Sequence, residues 1–534
     1  MTDEVDKPHD TAAARDAAAT RYTLQRLMNR RSVRVALALS ARKSNDKDVS
    51  WRDALRGELP REDVISPLTH TFPVLFNDLS AISTGAGLLT SAGMPTVPVT
   101  AHTYRGLFKS VRPNLVLVDS VRGWAQGELS DLHDLARAHQ VPVVTVGMDA
   151  HAALPQADLS VSVGLTYDGA QLILGPRVDI QQFNPVGMYL AETANVTSLN
   201  ADGTRVSVQQ ARSAPVVTVT DPDGYGTWRV LELISSGALV LTGESAVLRD
   251  VFENDADFVV GSADALIERR DVAFANPAWR DDVSVRLRRR IYRNASTYGS
   301  AATLVSHLSL SDPVDERVSV VLATRRGGKR LRQVMHDLAQ QTYRPHEIIV
   351  VAHGDVDLDG VGNGRSKPKV VRVDVPATRT FGAALNAGLA KVTAPLVAKI
   401  DDDDRYGPHH LEDLVHSLRY SGATVVGRRA HAVYDETRDV TLAPSRAFEE
   451  RFDDHLPGGT LLTNTGFLRD IKFRQVPNGI DTELMKMVHA RGGSAYSSHR
   501  FGYIRVRHTD HTYNPENGFD GDVTPGFNPH WLGA

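Results

Sequence analysis

The sequence predicts an α/β protein in which Rossmann-type units come first and a further α/β domain closes the chain. Three observations carry this. From about residue 68, short apolar runs of strand length alternate with helix-like stretches, the pattern of parallel sheets with helical crossovers. The alternation restarts at Val318, after a polar, Pro-containing interruption from Ser309 to Glu316. Within this last part the run Ala394 to Ile400 leads straight into Asp401-Asp402-Asp403-Asp404, and Pro408 then opens a helix-like segment to Ser421 with Leu411, Leu414 and Leu418 on one face. Four adjoining Asp can be no more than a solvated turn. At the carboxyl end of a strand in an open sheet they lie where ligands bind, and their hard oxygens suit Mg²⁺ or Mn²⁺ carrying a diphosphate.

With 534 residues, the chain has room for roughly three or four domains. The expected divisions are a disordered start and basic helical arm over 1–67, a first unit over 68–150, a shortened second unit over 151–312, and a C-terminal domain with its tail over 313–534. Sixty Lys and Arg against 64 Asp and Glu leave no global field for nucleic acid, which is excluded as a partner. The absence of cysteine excludes disulfides, thiolate zinc sites and Cys nucleophiles, and fits a reducing compartment. The acidic N-terminus is unlike a signal peptide, and no apolar run approaches the ~18 residues of a spanning helix. A soluble, cytoplasmic protein is expected.

In chain order, residues 1 to about 20 are rich in Asp, Ala and Thr and have little to bury. Arg21 to Lys43 reads as a basic amphipathic helix, packed on the body with a solvated basic face or lying on the inner face of an anionic membrane. Thr71–Phe76, Thr96–Val99, Leu115–Asp119 and Val141–Val146 read as strands, with Leu132–His139 as an intervening helix. Gly85-Ala86-Gly87 lacks the third glycine of a dinucleotide fingerprint and is a weak phosphate loop. Further on come Gly175-Pro176-Arg177-Val178-Asp179, Phe183-Asn184-Pro185, the run Thr227 to Leu241, and Tyr292-Arg293-Asn294-Ala295-Ser296-Thr297-Tyr298. Over about 68–308 these resemble the spore-maturation-type glycosyltransferases of the two-Rossmann (GT-B) fold. The resemblance makes Glu232 a ribose ligand, with Arg229 one helical turn before it, as a second nucleotide site. The stretch from Pro185 to Arg229 is too short for a full second Rossmann half, so a degenerate, inactive module is expected. A salt-bridged helix start would equally account for Arg229 and Glu232.

In the last domain Val318–Leu322, His346–Ala352 and Val370–Val375 read as strands, Lys329–Gln341 as a helix, and Gly382 to Leu389 as the start of another leading into the Asp401 strand. The segments Val318 to Thr324, Gln340-Gln341-Thr342-Tyr343, Glu347 to Val351, Gly382 with Asn386 and Gly388, and Asp401-x-Asp403-Asp404 together resemble a family 2 glycosyltransferase of the single-Rossmann-like (GT-A) fold, over about 316–512. The resemblance implies a nucleotide-sugar site at Ala323, Thr324, Arg325, Gly382, Asn386, Asp401 and Asp402, with Asp403 as the metal ligand. It makes Gly459 and Thr460 the acceptor side. Asp481, which opens Asp481-Thr482-Glu483-Leu484, becomes the base, with Glu483 in reserve because Ile480 stands where the family usually has Glu. A helix cap is the alternative role for Asp481. A family His near the end can complete the metal shell, and His508, then His511, match it. Where the family usually has Asp-Asp-Gly-Ser, the chain reads Ala352-His353-Gly354-Asp355, so His353 or Asp355 would contact the base, or the nucleotide differs from uridine.

The function implied is a metal-dependent (Mn²⁺ or Mg²⁺), inverting transfer from a nucleotide-diphosphate sugar, with UDP-sugars favoured, to a hydroxyl of a cell-surface glycan or its lipid-linked precursor. Homo-oligomerisation is left open. Rival readings are a bifunctional enzyme with both modules active, a non-catalytic carbohydrate-binding scaffold, and a nucleotidyltransferase, for which Arg325-Arg326-Gly327-Gly328-Lys329 is a partial match.

Overall fold

The computed structural model describes most of residues 316–508 and 522–533 and, before them, segments between 74 and 299, the longest being 125–146, 208–252 and 262–296. The basic arm, Gly85-Ala86-Gly87 and His511 lie outside the described residues. In the first part β1 (Val74–Phe76), β2 (Thr96–Pro98), β3 (Leu115–Val118), β4 (Val143–Val146), β5 (Leu159–Val163) and β6 (Leu172–Leu174) form a parallel sheet in the order β2-β1-β3-β4-β5-β6. Helix α1 (Gln126–Ala138) crosses from β3 to β4 and buries Leu129, Leu132 and Ala136. The sheet thus continues past residue 150, where the sequence suggested a division. A three-stranded parallel sheet follows, β7 (Leu199–Asn200), β8 (Val216–Val219) and β9 (Leu239–Thr242), with α2 (Thr227–Ser235) between its last two strands. Helices α3 (Ala263–Ala275) and α4 (Pro277–Asn294) come next. Pro277 and the side chain of Asn276, which accepts the Trp279 N–H, start α4.

The C-terminal domain is built on an eight-stranded sheet. Its leading half is parallel: β10 (Val318–Thr324), then α5 (Gly328–Ala339), β11 (Glu347–His353), β12 (Lys369–Val375), α6 (Phe381–Leu389) and β13 (Leu396–Ile400). After β13 come β14 (Arg405–Tyr406), α7 (His410–Ser421), β15 (Val425–Gly427), β16 (Ala432–Asp435), β17 (Val440–Leu442), β18 (Arg451–Phe452), β19 (Leu461–Asn464), α8 (Ile480–Ala490), β20 (Ala495–Ser497), β21 (Tyr503–Arg507) and β22 (Val523–Pro525). The large sheet runs β12-β11-β10-β13-β19-β15-β20-β18, and a second one runs β14-β21-β16-β17-β22. Strands β10, β11 and β13 are buried along their whole length, which explains their unbroken apolar runs. Helix α6 can lie close on the sheet because Gly388 has no side chain: a Cβ there would come within 2.7 Å of Val351 and 2.9 Å of Val321.

Helix α4 belongs to the first part by sequence but is buried against α7. Val283, Leu287 and Ile291 share one apolar cluster with Leu411, Leu414 and Leu418. Around it Arg289 forms a two-pronged pair with Asp413 (2.8 and 3.1 Å), Arg293 another with Glu412 (2.7 and 2.6 Å), and Arg288 reaches Glu450 at 2.9 Å.

Candidate active site

The parallel half of the sheet ends at one edge in the β10–α5 loop and the acidic turn after β13. Thr324, the last residue of β10, is buried, and its hydroxyl donates to Asp402 Oδ2 while accepting the backbone N–H groups of Arg326 (3.2 Å) and Gly327 (3.0 Å). One side chain thereby ties the first loop to the acidic turn. Asp404 is the turn's inner anchor, accepting Tyr503 OH at 2.5 Å and the Val506 N–H at 2.9 Å. Tyr406 closes it: its hydroxyl accepts the Asp401 N–H (2.9 Å) and donates to the Gly459 carbonyl (3.0 Å).

The four carboxylates therefore differ. Burial, with the charges of Asp403 and Asp401, holds Asp404 well above the usual carboxylate range. Burial and then the Asp403 charge push Asp402 up to about 6, against the pull of the Thr324 hydrogen bond. Asp401 and Asp403 keep exposed faces. Asp403 Oδ2 lies 2.9 Å from His508 Nε2, and Arg326 Nη1 stands 3.6 Å from the former and 3.4 Å from the latter. A carboxylate oxygen and an imidazole nitrogen facing one another are a donor set that fits Mn²⁺ or Mg²⁺, the nitrogen favouring Mn²⁺. Among the described residues no group of three or more such ligands gathers.

Asp481 comes to the same edge from α8. It is the second residue of that helix, whose N-cap position is held by Gly479 in the left-handed conformation, so Asp481 is not the N-cap residue. A Cβ on Gly458 would sit 2.2 Å from both Asp481 oxygens, and one on Gly459 2.8 Å from Asp401 Oδ2. Lys399 lies between the two carboxylates, its Nζ 2.7 Å from Asp401 Oδ1 and 3.7 Å from Asp481 Oδ1. Desolvation raises the Asp481 carboxyl above its usual range; Lys399 opposes the rise and Asp401 adds to it.

Other expected residues have their partners elsewhere. Ala323 packs in the apolar core. Gly382 faces the Arg474 carbonyl, which a Cβ would approach to 2.1 Å, and Asn386 exchanges two hydrogen bonds with the Phe473 backbone (2.8 and 2.9 Å), so both clamp this segment onto α6. Thr460 is fully buried, accepting the Arg428 N–H and donating to the Pro457 carbonyl. Glu483 pairs with Lys486 on the outer side of α8. His353 is buried with both nitrogens engaged: Nδ1 accepts from Arg325 Nε (3.0 Å), and Nε2 meets the Arg379 carbonyl (2.9 Å). Burial, with Arg325 alongside, holds its pKa below the usual value, so neutral His353 orients Arg325. Asp355 is exposed on the loop after β11. In the first part Arg229 is exposed and Glu232 half-buried on α2. Sequence reasoning gave no role to Lys399 and Tyr406. Lys399 stands two residues before Asp401, a spacing that puts both on one face of a strand.

Residues 319–473 match the family model described as glycosyl transferase family 2. The uncharacterized glycosyltransferase alr2836 of Nostoc sp. is 25% identical over 154 residues, covering 28% of this chain and 47% of that protein; the chain spans about half the length of this curated relative. Among solved structures, S. aureus TarS 1–349 (17% identical, TM-score 0.29) and the same fragment in complex with UDP-GlcNAc (19% identical, TM-score 0.30) each align over 36% of this chain and 60% of their own. The family match lies wholly within the C-terminal part of the chain. Among the described residues no helix is long and apolar enough to cross a membrane.

Proposed function

We propose that the chain transfers a sugar, with inversion, from a nucleotide diphosphate to an acceptor hydroxyl of a cell-surface glycan or its precursor. The observation that carries this reading is the meeting of Asp401 and Asp481, from separate elements, on the two sides of Lys399 beside the Asp403–His508 pair. Asp481 takes the acceptor's proton as its oxygen bonds to the anomeric carbon and the bond from that carbon to the diphosphate breaks. Desolvation raises its pKa above the usual carboxylate range, which strengthens it as a base. Asp403 and His508 would hold a divalent cation, which when bound supplies positive charge for the leaving diphosphate. Asp401 and the β10–α5 loop, with Arg325 steadied by His353, flank the nucleotide. The N-terminal part, spore-maturation-like in sequence, positions the acceptor or the assembly, and its packing through α4 supports that role.

The test is binding and turnover of UDP-, GDP-, dTDP- and CDP-sugars with Mn²⁺ or Mg²⁺, UDP-sugars first, by wild type, Asp403→Ala, Asp481→Asn and Glu232→Ala. Asp403→Ala should abolish metal-dependent binding. Asp481→Asn should keep binding and lose about 10²-fold or more in turnover. Absence of nucleotide binding to the wild type would leave a scaffold, and loss of binding in Glu232→Ala alone would move the chemistry to the N-terminal part.

A further inference from the structure

Lys399 occupies a position built for an apolar side chain. Its register partners on the flanking strands are Val321 and Leu461, and Val397 precedes it on the same face; all three belong to one buried apolar cluster. A Leu or Met would continue that column. Instead the chain carries an ammonium here, 5% exposed, whose nearest oxygens are those of Asp401 and Asp481. A lysine in such a place is costly unless carboxylates compensate it. Burial would strip its proton, but Asp401, Asp481 and Asp404 outweigh that and raise its pKa.

The arrangement at Asp481 is lopsided in a telling way. Its Oδ1 is buried and accepts no hydrogen bond, so the ammonium at 3.7 Å is the compensation offered to that oxygen. Gly458 lies close on one side, where a Cβ would come 2.2 Å from both Asp481 oxygens. The charged groups facing it are Lys399 from β13, Asp401 from the acidic turn and His455 from the segment after β18. Of these, Lys399 is the permanent cation, and it is fixed in place by its 2.7 Å contact with Asp401.

We propose that Lys399 is a positioning residue for the transfer: its ammonium joins the donor-side carboxylate Asp401 to the acceptor-side carboxylate Asp481 and keeps Asp481 ionised, ready to accept a proton. This rests on the reading of Asp481 as the base. It predicts a coupling between the two half-sites: whatever draws Lys399 toward Asp401 when donor is bound weakens its hold on Asp481 and makes that carboxylate the stronger base.

The experiment is a ¹³C-carboxyl titration of the full chain labelled at aspartate, with the Asp481 resonance identified by its loss in Asp481→Asn. Lys399→Met should raise the Asp481 midpoint by about one to three pH units, the usual effect of an opposite charge at this range. Lys399→Arg, which keeps the charge, should restore most of the shift. Lys399→Gln serves as the second neutral variant should Lys399→Met fail to fold. In donor turnover, the rising limb of the pH profile should move with the titration. An unmoved Asp481 midpoint in the neutral variants would overturn the proposal. Wild-type turnover in Asp481→Asn would instead overturn the reading of Asp481 as base, while the titration would still decide what Lys399 does.

Discussion

Gly458 shows how closely the site is fitted around one carboxylate. Its missing Cβ would lie 2.2 Å from both Asp481 oxygens, well inside any contact distance, so Gly458→Ala forces Asp481 to move. A displacement of even ~1 Å at a reacting group costs on the order of 10²-fold in rate. Gly458→Ala should therefore lose about that much turnover while retaining nucleotide binding; unchanged turnover would place the chemistry away from Asp481. Residues of this kind divide by what the sequence could reveal. Asp401 and Asp403 stood out in the acidic run at a strand end, Asp481 and His508 only through the family resemblance, and the fold brings Asp403 to His508 across more than a hundred residues. Lys399 was absorbed into an apolar strand run, since a buried lysine and a short break in hydrophobicity look alike until its partners are in place. Thr460, Asn386 and Gly382 could not be sorted into binding or packing roles, because their partners are set by tertiary contacts.

Strand β13 leads directly into the acidic turn, and α6 packs on the neighbouring strands β10 and β11. Gly382 and Asn386 fasten α6 to Phe473 and Arg474, in the segment leading to α8 and Asp481. A Cβ at Gly382 would come 2.1 Å from a backbone carbonyl, which cannot rotate aside as a side chain can. Gly382→Ala should thus lower stability by about 1–3 kcal/mol, the usual toll of overpacking. Donor KM should be unchanged in the protein that remains folded, as read by urea unfolding and initial rates. A raised KM at full stability would return Gly382 to the nucleotide site. At this scale the sequence was most legible: the strands and helices of the parallel half were visible, β10, β11 and β13 because burial on both faces writes itself as continuous apolar runs. The extent of the first sheet was not, since the pairing of β5 and β6 with β4 depends on register between segments rather than on any local signal.

Across the whole molecule the two parts of the chain are joined by buried charge. Arg500 reaches Asp281 on α4 at 2.6 Å, and its backbone N–H donates to Glu449 Oε2 at 3.0 Å. Burial pushes Glu449 from its ordinary 4.5 up to about 7; Arg500 opposes the rise and Asp281 adds to it. The sign follows from proton counting. Between pH 4.5 and 7 the folded protein keeps a proton on Glu449 that the unfolded chain has released, so this group's contribution to stability falls as pH rises through that window and is level above it. The size, at 1.36 kcal/mol per unit, is roughly 3 kcal/mol. Buried His410, His431 and His499, whose pKa values burial lowers, pull in the opposite direction, because the unfolded chain protonates them first as pH falls. The quantity to read is therefore the difference between wild type and Glu449→Gln in urea unfolding at pH 5 and pH 8. Glu449→Gln should gain on the wild type as pH rises, by up to about 3 kcal/mol over that span. A difference independent of pH would mean that Glu449 ionises as readily in the folded protein as in the unfolded chain, and that the junction between α4 and the C-terminal domain holds its charges without strain.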